Sequence, residues 1–290
     1  MELPGSYLGS VRVSRLIIGG NCFSGFSHHT AELDRAMRDY YTAAKIKETL
    51  AAAEAAGINT FFGRSDNHVL RLMNEYRNEG GKIQFFAQTA SERADTAKTI
   101  RQVADYGAEG VYLHGGEVDV YHENGELGKV AELIQLIKEL GMVAGVAGHN
   151  PQAHLDIHAA GIPVDFHMVC FYNLEGRRGN QVAADDYEKF DDRDRDVAVR
   201  AARRIPRTCV GYKVLAAARR EPEQAFRFAF ENLKPGDCIN VGVYTKDDPD
   251  MVARNARLVK QILTELGQVS SVSAPDPLAQ PSQMAGGAAR

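Results

Sequence analysis

Two histidines, a lysine and a tyrosine stand in or at the ends of short apolar runs, where a side chain with chemistry has no packing reason to be. His114 closes Gly110-Val-Tyr-Leu-His, and His149 follows Met142-Val-Ala-Gly-Val-Ala-Gly. Tyr172 closes Phe166-His-Met-Val-Cys-Phe-Tyr, and Lys213 interrupts Cys209-Val-Gly-Tyr-Lys-Val. Imidazole titrates near neutrality, so His114 and His149 suit acid–base work or metal ligation. On neighbouring strands, about 4.8 Å apart, they could share a divalent metal, with Glu117, Asp119 or Cys170 completing the set. Without an HxH or HExxH spacing, the alternative is that each histidine hydrogen-bonds within its own surroundings. Lys213 in an apolar run suits oxyanion stabilisation or proton transfer, or else a salt bridge with a carboxylate such as Asp165. Tyr172 reads as an auxiliary acid or a wall. His167, one position out of phase with Met168 and Cys170, reads as facing a helix.

These residues need a frame. Apolar runs at 16–21, 59–62, 83–88, 110–114, 142–148, 166–172, 209–214 and 238–244 read as buried strands. Amphipathic stretches at 40–56, 69–78, 96–106, 129–140, 151–160, 195–204, 222–232 and 249–266 read as helices, several stopped by glycine. Continuous apolar strands separated by helices call for a parallel sheet. Eight strand–helix units call for closure into an α/β (β/α)8 TIM barrel over residues 1–266, with a polar, Ser-, Ala- and Pro-rich tail at 267–290. In such a barrel the active site lies at the C-terminal ends of the strands. Asn21, Arg64, Gln88, His114, His149, Tyr172 and Lys246 all fall there. The loop after the sixth strand, with Arg177 and Arg178 between glycines in the connection 173–191, suits either a lid over a carbonyl or anionic substrate or a solvated loop. Asn21, Arg64, Arg177 and Arg178 are the candidate substrate-binding residues.

Composition narrows the partners. The 290 residues carry 34 basic and 38 acidic side chains, a net charge of −4, which disfavours nucleic acid and anionic membranes. No apolar run approaches the roughly 20 residues of a membrane span, and the N-terminus lacks a signal-peptide pattern. Cys22, Cys170, Cys209 and Cys238 form no CxxC and read as reduced thiols, the pattern of a cytoplasmic protein. A small-molecule substrate is the expected partner; the sequence does not specify an oligomeric state.

Order and content of the units resemble the aldo-keto reductase superfamily. Leu8-Gly-Ser-Val-Arg-Val-Ser-Arg-Leu-Ile-Ile-Gly-Gly, Gly57-Ile-Asn-Thr-Phe-Phe and Tyr112-Leu-His114 are similar to its first, second and fourth strands. Gly145-Val-Ala-Gly-His-Asn-Pro, Ala159-Ala-Gly-Ile-Pro-Val-Asp, Tyr172-Asn-Leu, Tyr212-Lys-Val-Leu-Ala-Ala-Ala-Arg219 and Val241-Gly-Val with Asn255 follow in order. The resemblance implies a barrel and NADPH-dependent carbonyl reduction, with His114 matching the histidine of the catalytic tetrad and Asn255 and Lys246 as cofactor residues. Against that pattern, Phe62 stands at the aspartate position, no tyrosine occurs between it and Tyr76, and Gln88-Thr89 ends the third strand in place of lysine. Ala147-Gly148 followed by His149 replaces the pair that holds the nicotinamide amide, and Met251 stands where an arginine would grip the cofactor phosphate. The leading expectation is therefore an enzyme that moves protons on a small sugar-like or hydroxy-carbonyl compound, as an isomerase, lyase or hydrolase. In it, His114, His149, Lys213 and Tyr172 would be catalytic, with a metal on His114, His149 and Glu117 if one is used. The alternatives are an NADPH-dependent oxidoreductase with His114 as sole proton donor, and an inactive barrel that binds a ligand.

Overall fold

The structure, a computed structural model, describes residues 2–172 and 190–269. Eight parallel strands close on themselves: β3 (Leu16–Gly19), β4 (Thr60–Arg64), β5 (Gln84–Gln88), β6 (Gly110–Leu113), β7 (Val143–Gly148), β8 (Phe166–Cys170), β9 (Thr208–Tyr212) and β10 (Cys238–Gly242). The seam is β10 against β3, with Ile239 opposite Leu16. The expected (β/α)8 barrel is what the chain forms.

Alternation along each strand builds two apolar layers. On β4 and β5, Phe62 and Phe86 point into the barrel, while Phe61 and Phe85 pack under the helices. Inside, Phe62 meets Tyr112, Phe86 and Phe166 at ring separations of 5.0, 5.3 and 5.8 Å. Phe62 is thus part of an aromatic layer that fills the barrel beneath its mouth.

A hairpin absent from the sequence reading, β1 (Gly5–Leu8) against β2 (Val11–Ser14), lies at the opposite end. Its Leu8 and Val13 join the interior layer, so it plugs the N-terminal end of the barrel. There Arg15, 2% exposed, donates from Nε to the Asp237 carbonyl at 2.8 Å and from Nη1 to Gln268 Oε1 at 2.9 Å. Gln268, assigned to the tail by the sequence, is therefore bonded to the barrel; the tail residues 270–290 lie outside the described residues.

The outer layer consists of α2 (Ala43–Ala55), α3 (Asn67–Asn78), α4 (Thr96–Asp105), α6 (Leu127–Glu139), α7 (Pro151–Ala159), α8 (Asp192–Arg204), α9 (Pro222–Asn232) and α10 (Met251–Glu265). Side chains of Thr42, Asp66, Asp95, Asn150 and Asp191 cap the amide ends of α2, α3, α4, α7 and α8. Two further helices sit at the mouth: α1 (Ala31–Tyr40), capped by Thr30, and α5 (Gly115–Glu123). Neither follows from the apolar period, since α1 is short and polar and α5 opens on two glycines. Among the described residues no helix is long and apolar enough to cross a membrane.

Candidate active site

At the C-terminal end of the barrel lies a cavity of about 520 Å3, walled by the β3–α1 loop, the ends of the strands and the start of α5. Of the sequence-predicted site residues, it brings together Asn21, Arg64, His114, His149 and Lys213.

His114 directly follows β6 and is the N-cap of α5. Its Nδ1 accepts the Gly116 amide at 3.2 Å, and its own N–H donates to Thr89 Oγ1 at 2.8 Å. An acceptor at Nδ1 means that Nε2 carries the proton in the neutral ring. Burial, and then the positive charges of His149 and Arg64, push the His114 pKa down to about 4. At neutral pH His114 is therefore an uncharged Nε2–H donor.

His149 directly follows β7 and has the opposite tautomer. Its Nδ1 lies 2.8 Å from Asp119 Oδ2, and its backbone N–H donates to Asp119 Oδ1 at 3.0 Å. A carboxylate only accepts, so Nδ1 carries the proton, and in the neutral ring Nε2 has a lone pair. Asp119 projects from α5 and is 4% exposed. Burial pushes its carboxyl up, but the hydrogen bond from His149, its charge and the amides of Asn150 and His149 outweigh that, and the net shift is downward. The carboxylate stays ionised and orients the ring.

Close approach of α5 to the strand ends depends on Gly115. A Cβ there would lie 3.2 Å from the Tyr212 hydroxyl and 3.3 Å from His149 Cε1. The glycine that makes α5 hard to recognise is what lets its first turn reach the dyad.

Lys213 follows β9 directly, rather than standing inside a strand, in a left-handed conformation (φ 58°). Its Nζ lies 3.1 Å from His28 Nε2, which Asn21 Nδ2 also approaches at 3.4 Å. The salt bridge with Asp165 does not form; Asp165 pairs with Lys138 at 2.7 Å. Arg64, the last residue of β4, pairs with Glu92 and lies over the Phe26 ring at 5.2 Å. Gln88, Tyr112, Tyr212 and Asn240 complete much of the wall.

Other expectations are corrected by the geometry. Tyr172 does not line the cavity: β8 ends at Cys170, alternation stops there, and Tyr172 is fully buried against Phe190 at 5.3 Å. Glu117 turns away from the two histidines to accept from Thr96 at 2.8 Å and Tyr121 at 3.2 Å. Among the described residues no group of three or more His, Cys, Asp and Glu side chains is arranged to hold a metal ion. Asn255 is buried within α10 and Lys246 is exposed; neither lines the cavity. Arg177 and Arg178 lie outside the described residues. His167 does face a helix, where it meets His154 of α7. The sequence offers Asp119 only as a further metal ligand; the residue it pairs with, His149, is 30 positions away, so no local spacing marks the pair.

No protein-family model and no curated protein matches the sequence. Solved structures do match over most of the chain. A Pseudomonas aeruginosa protein described as a candidate aldo-keto reductase aligns with TM-score 0.60 and 18% identity, covering 89% of this chain and 95% of its own. The aldo-keto reductase AKR11C1 from Bacillus halodurans, in its holo form, gives 0.58 and 12%, covering 93% and 98%. The fold is aldo-keto-reductase-like. A truncated 3-deoxy-D-arabino-heptulosonate 7-phosphate synthase from Thermotoga maritima aligns at 0.53 with 12% identity, covering 92% of both chains, so the likeness is one of barrel architecture and is shared beyond the reductases.

Proposed function

We propose that the chain is an enzyme that moves a proton on a small hydroxy-carbonyl compound, with His149 as general base and His114 as the donor to the carbonyl oxygen. The observation that carries this reading is the pair of complementary tautomers on adjacent strands, one offering an Nε2 lone pair and the other an Nε2–H. His149 takes the proton from the carbon beside the carbonyl. As negative charge grows on the carbonyl oxygen, the neutral His114 donates a hydrogen bond to it, and Asp119 stabilises the imidazolium formed on His149. Return of the proton to the former carbonyl carbon, with His114 Nε2 giving its proton to that carbon's oxygen and taking the one on the neighbouring hydroxyl, completes an isomerisation; departure of a β-substituent with its bonding pair at that stage would instead give a lyase. Arg64, Asn21 and Lys213 orient polar substituents from the cavity wall.

The residues present do not reproduce the hydride-transfer set that the resemblance implies. Phe62, buried in the aromatic layer, and Gln88 stand at the catalytic aspartate and lysine positions, Ala147 stands where the nicotinamide amide would be held, and the nearby imidazole of His149 is held by Asp119. The donor set for a metal is likewise divided, with Glu117 bound elsewhere. An oxidoreductase is the second reading, favoured by the fold likeness alone.

The test is deuterium exchange. The protein is incubated in D2O with a panel of aldoses, ketoses and hydroxy-ketones, and wash-in at the carbon next to the carbonyl is followed by NMR. Exchange that requires the protein and disappears in His149→Gln supports the reading. No exchange across the panel, with NADPH binding detected by fluorescence transfer, would replace it with the second.

A further inference from the structure

The peptide unit that joins Gly148 to His149 is held at both ends. Its N–H donates to Asp119 at 3.0 Å. Its carbonyl, on Gly148, accepts the Tyr212 hydroxyl at 3.2 Å and lies 3.4 Å from His154 Nε2. His154, fully buried on α7, sets its Nδ1 3.1 Å from Nδ1 of His167, which is 1% exposed and points outward from β8.

The direction of each bond follows from what the atoms can do. A carbonyl oxygen only accepts, so Nε2 of His154 carries a proton. Burial holds the His154 pKa down to about 4 and that of His167 well below the ordinary value, so both rings are neutral near pH 7. A neutral His154 protonated at Nε2 has a lone pair at Nδ1. The contact with His167 then requires Nδ1–H on His167. The chain runs one way, from His167 through His154 to the Gly148 carbonyl. Residue 148 is glycine because a Cβ there would lie 2.9 Å from His154 Nε2 and 3.3 Å from Asp119 Oδ1.

We propose that His154 and His167 are positioning residues for His149: a buried, directional spine behind the barrel wall that fixes the Gly148–His149 peptide, and with it the register of His149 on Asp119. Neither residue lines the cavity, so neither touches substrate. Their effect passes through the carbonyl they orient. Without that donor the carbonyl keeps only the Tyr212 hydroxyl, the peptide tilts, its N–H moves off Asp119, and His149 loses one of its two bonds to that carboxylate. The inference rests on reading His149 as the base, and its test is built to fail separately from that reading.

In protein labelled with 15N-histidine, long-range proton–nitrogen correlations report tautomers directly. The expected result is Nε2–H for His154 and Nδ1–H for His167; Nδ1–H on His154 overturns the spine. The second measurement follows His149 itself, by its titration in the same spectra and by its carbethoxylation with diethyl pyrocarbonate, read by mass spectrometry. In His154→Leu the midpoint of His149 should move by about half a pH unit, changing its reactivity about threefold at fixed pH. In His154→Gln, whose side-chain amide places an N–H where the ring had one, it should return to the original value, a rescue that loss of packing would not give. An unmoved His149 in His154→Leu, together with a shift in Asp119→Asn, overturns the spine and leaves the dyad standing. A His149 indifferent to Asp119→Asn overturns both. Should His154→Leu fail to fold, the tautomers of the unaltered chain decide alone.

Discussion

At the scale of single residues, chemistry is set by which nitrogen of each imidazole holds the proton, and neighbours decide that. Asp119→Asn keeps the shape but offers Nδ1 of His149 either an N–H or a neutral oxygen. The base is then misoriented or in the wrong tautomer, and the exchange rate should fall about 10²- to 10⁴-fold, the usual worth of general base catalysis, while thermal stability changes little by comparison. His114 makes a separate prediction. With its pKa near 4 it stays neutral across the physiological range, so an acid limb of the rate profile above pH 5 does not belong to His114. His114→Gln retains an N–H donor, and should lower the rate without moving that limb; a moved limb would make His114 the titrating base. His114 and His149 were visible in the sequence because each closes an apolar run. The partner of His149 was not, because it lies 30 residues earlier on a helix that two glycines disguise.

Elements were readable where packing and local preference agree. The eight barrel strands appear as continuous apolar runs because both faces are buried. The hairpin β1–β2 has no such run, since its strands are only four residues each and the first continuous apolar stretch begins at Leu16. Tyr172 was misplaced by extending alternation two residues past the end of β8. The turn after β9 was not readable at all: Lys213, Ala216, Ala217 and Ala218 have φ of 58°, 49°, 55° and 64°, a region alanine avoids. Each such residue costs about 1–2 kcal/mol. What the turn gains is position, since the Ala217 carbonyl accepts from His29 of the β3–α1 loop and Lys213 is aimed at the cavity. Ala218 is exposed, so Ala218→Gly removes the strain without removing packing. After the greater entropy of glycine in the unfolded chain is offset, the variant should be more stable by about 0.5–1 kcal/mol, roughly 1–4 °C in Tm, seen in a thermal melt.

Across the whole molecule, the arrangement that serves the site also sets how the protein responds to acid. His154 and His167 are buried as neutral rings among the titratable and charged groups of Asp119, His149 and His122 on one side, and Lys234, Arg207 and His158 on the other. Both have folded pKa values below the roughly 6.5 of a free imidazole, so below that pH the unfolded chain binds protons that the native chain refuses. Stability from this source is complete above pH 6.5 and is lost as the pH falls toward the folded value. For His154, with a folded pKa of about 4, the loss is on the order of 2 kcal/mol by pH 5 and 3 kcal/mol by pH 4. Urea midpoints measured at pH 7.5 and pH 5 should therefore fall in the acid direction. The double variant His154→Gln, His167→Asn replaces both rings by amides that do not titrate in this window. It should flatten that fall while lowering the midpoint at pH 7.5 by less than the unaltered chain loses on acidification. If the fall persists in the double variant, the acid sensitivity lies in other groups, and the two buried imidazoles are not neutral in the native state.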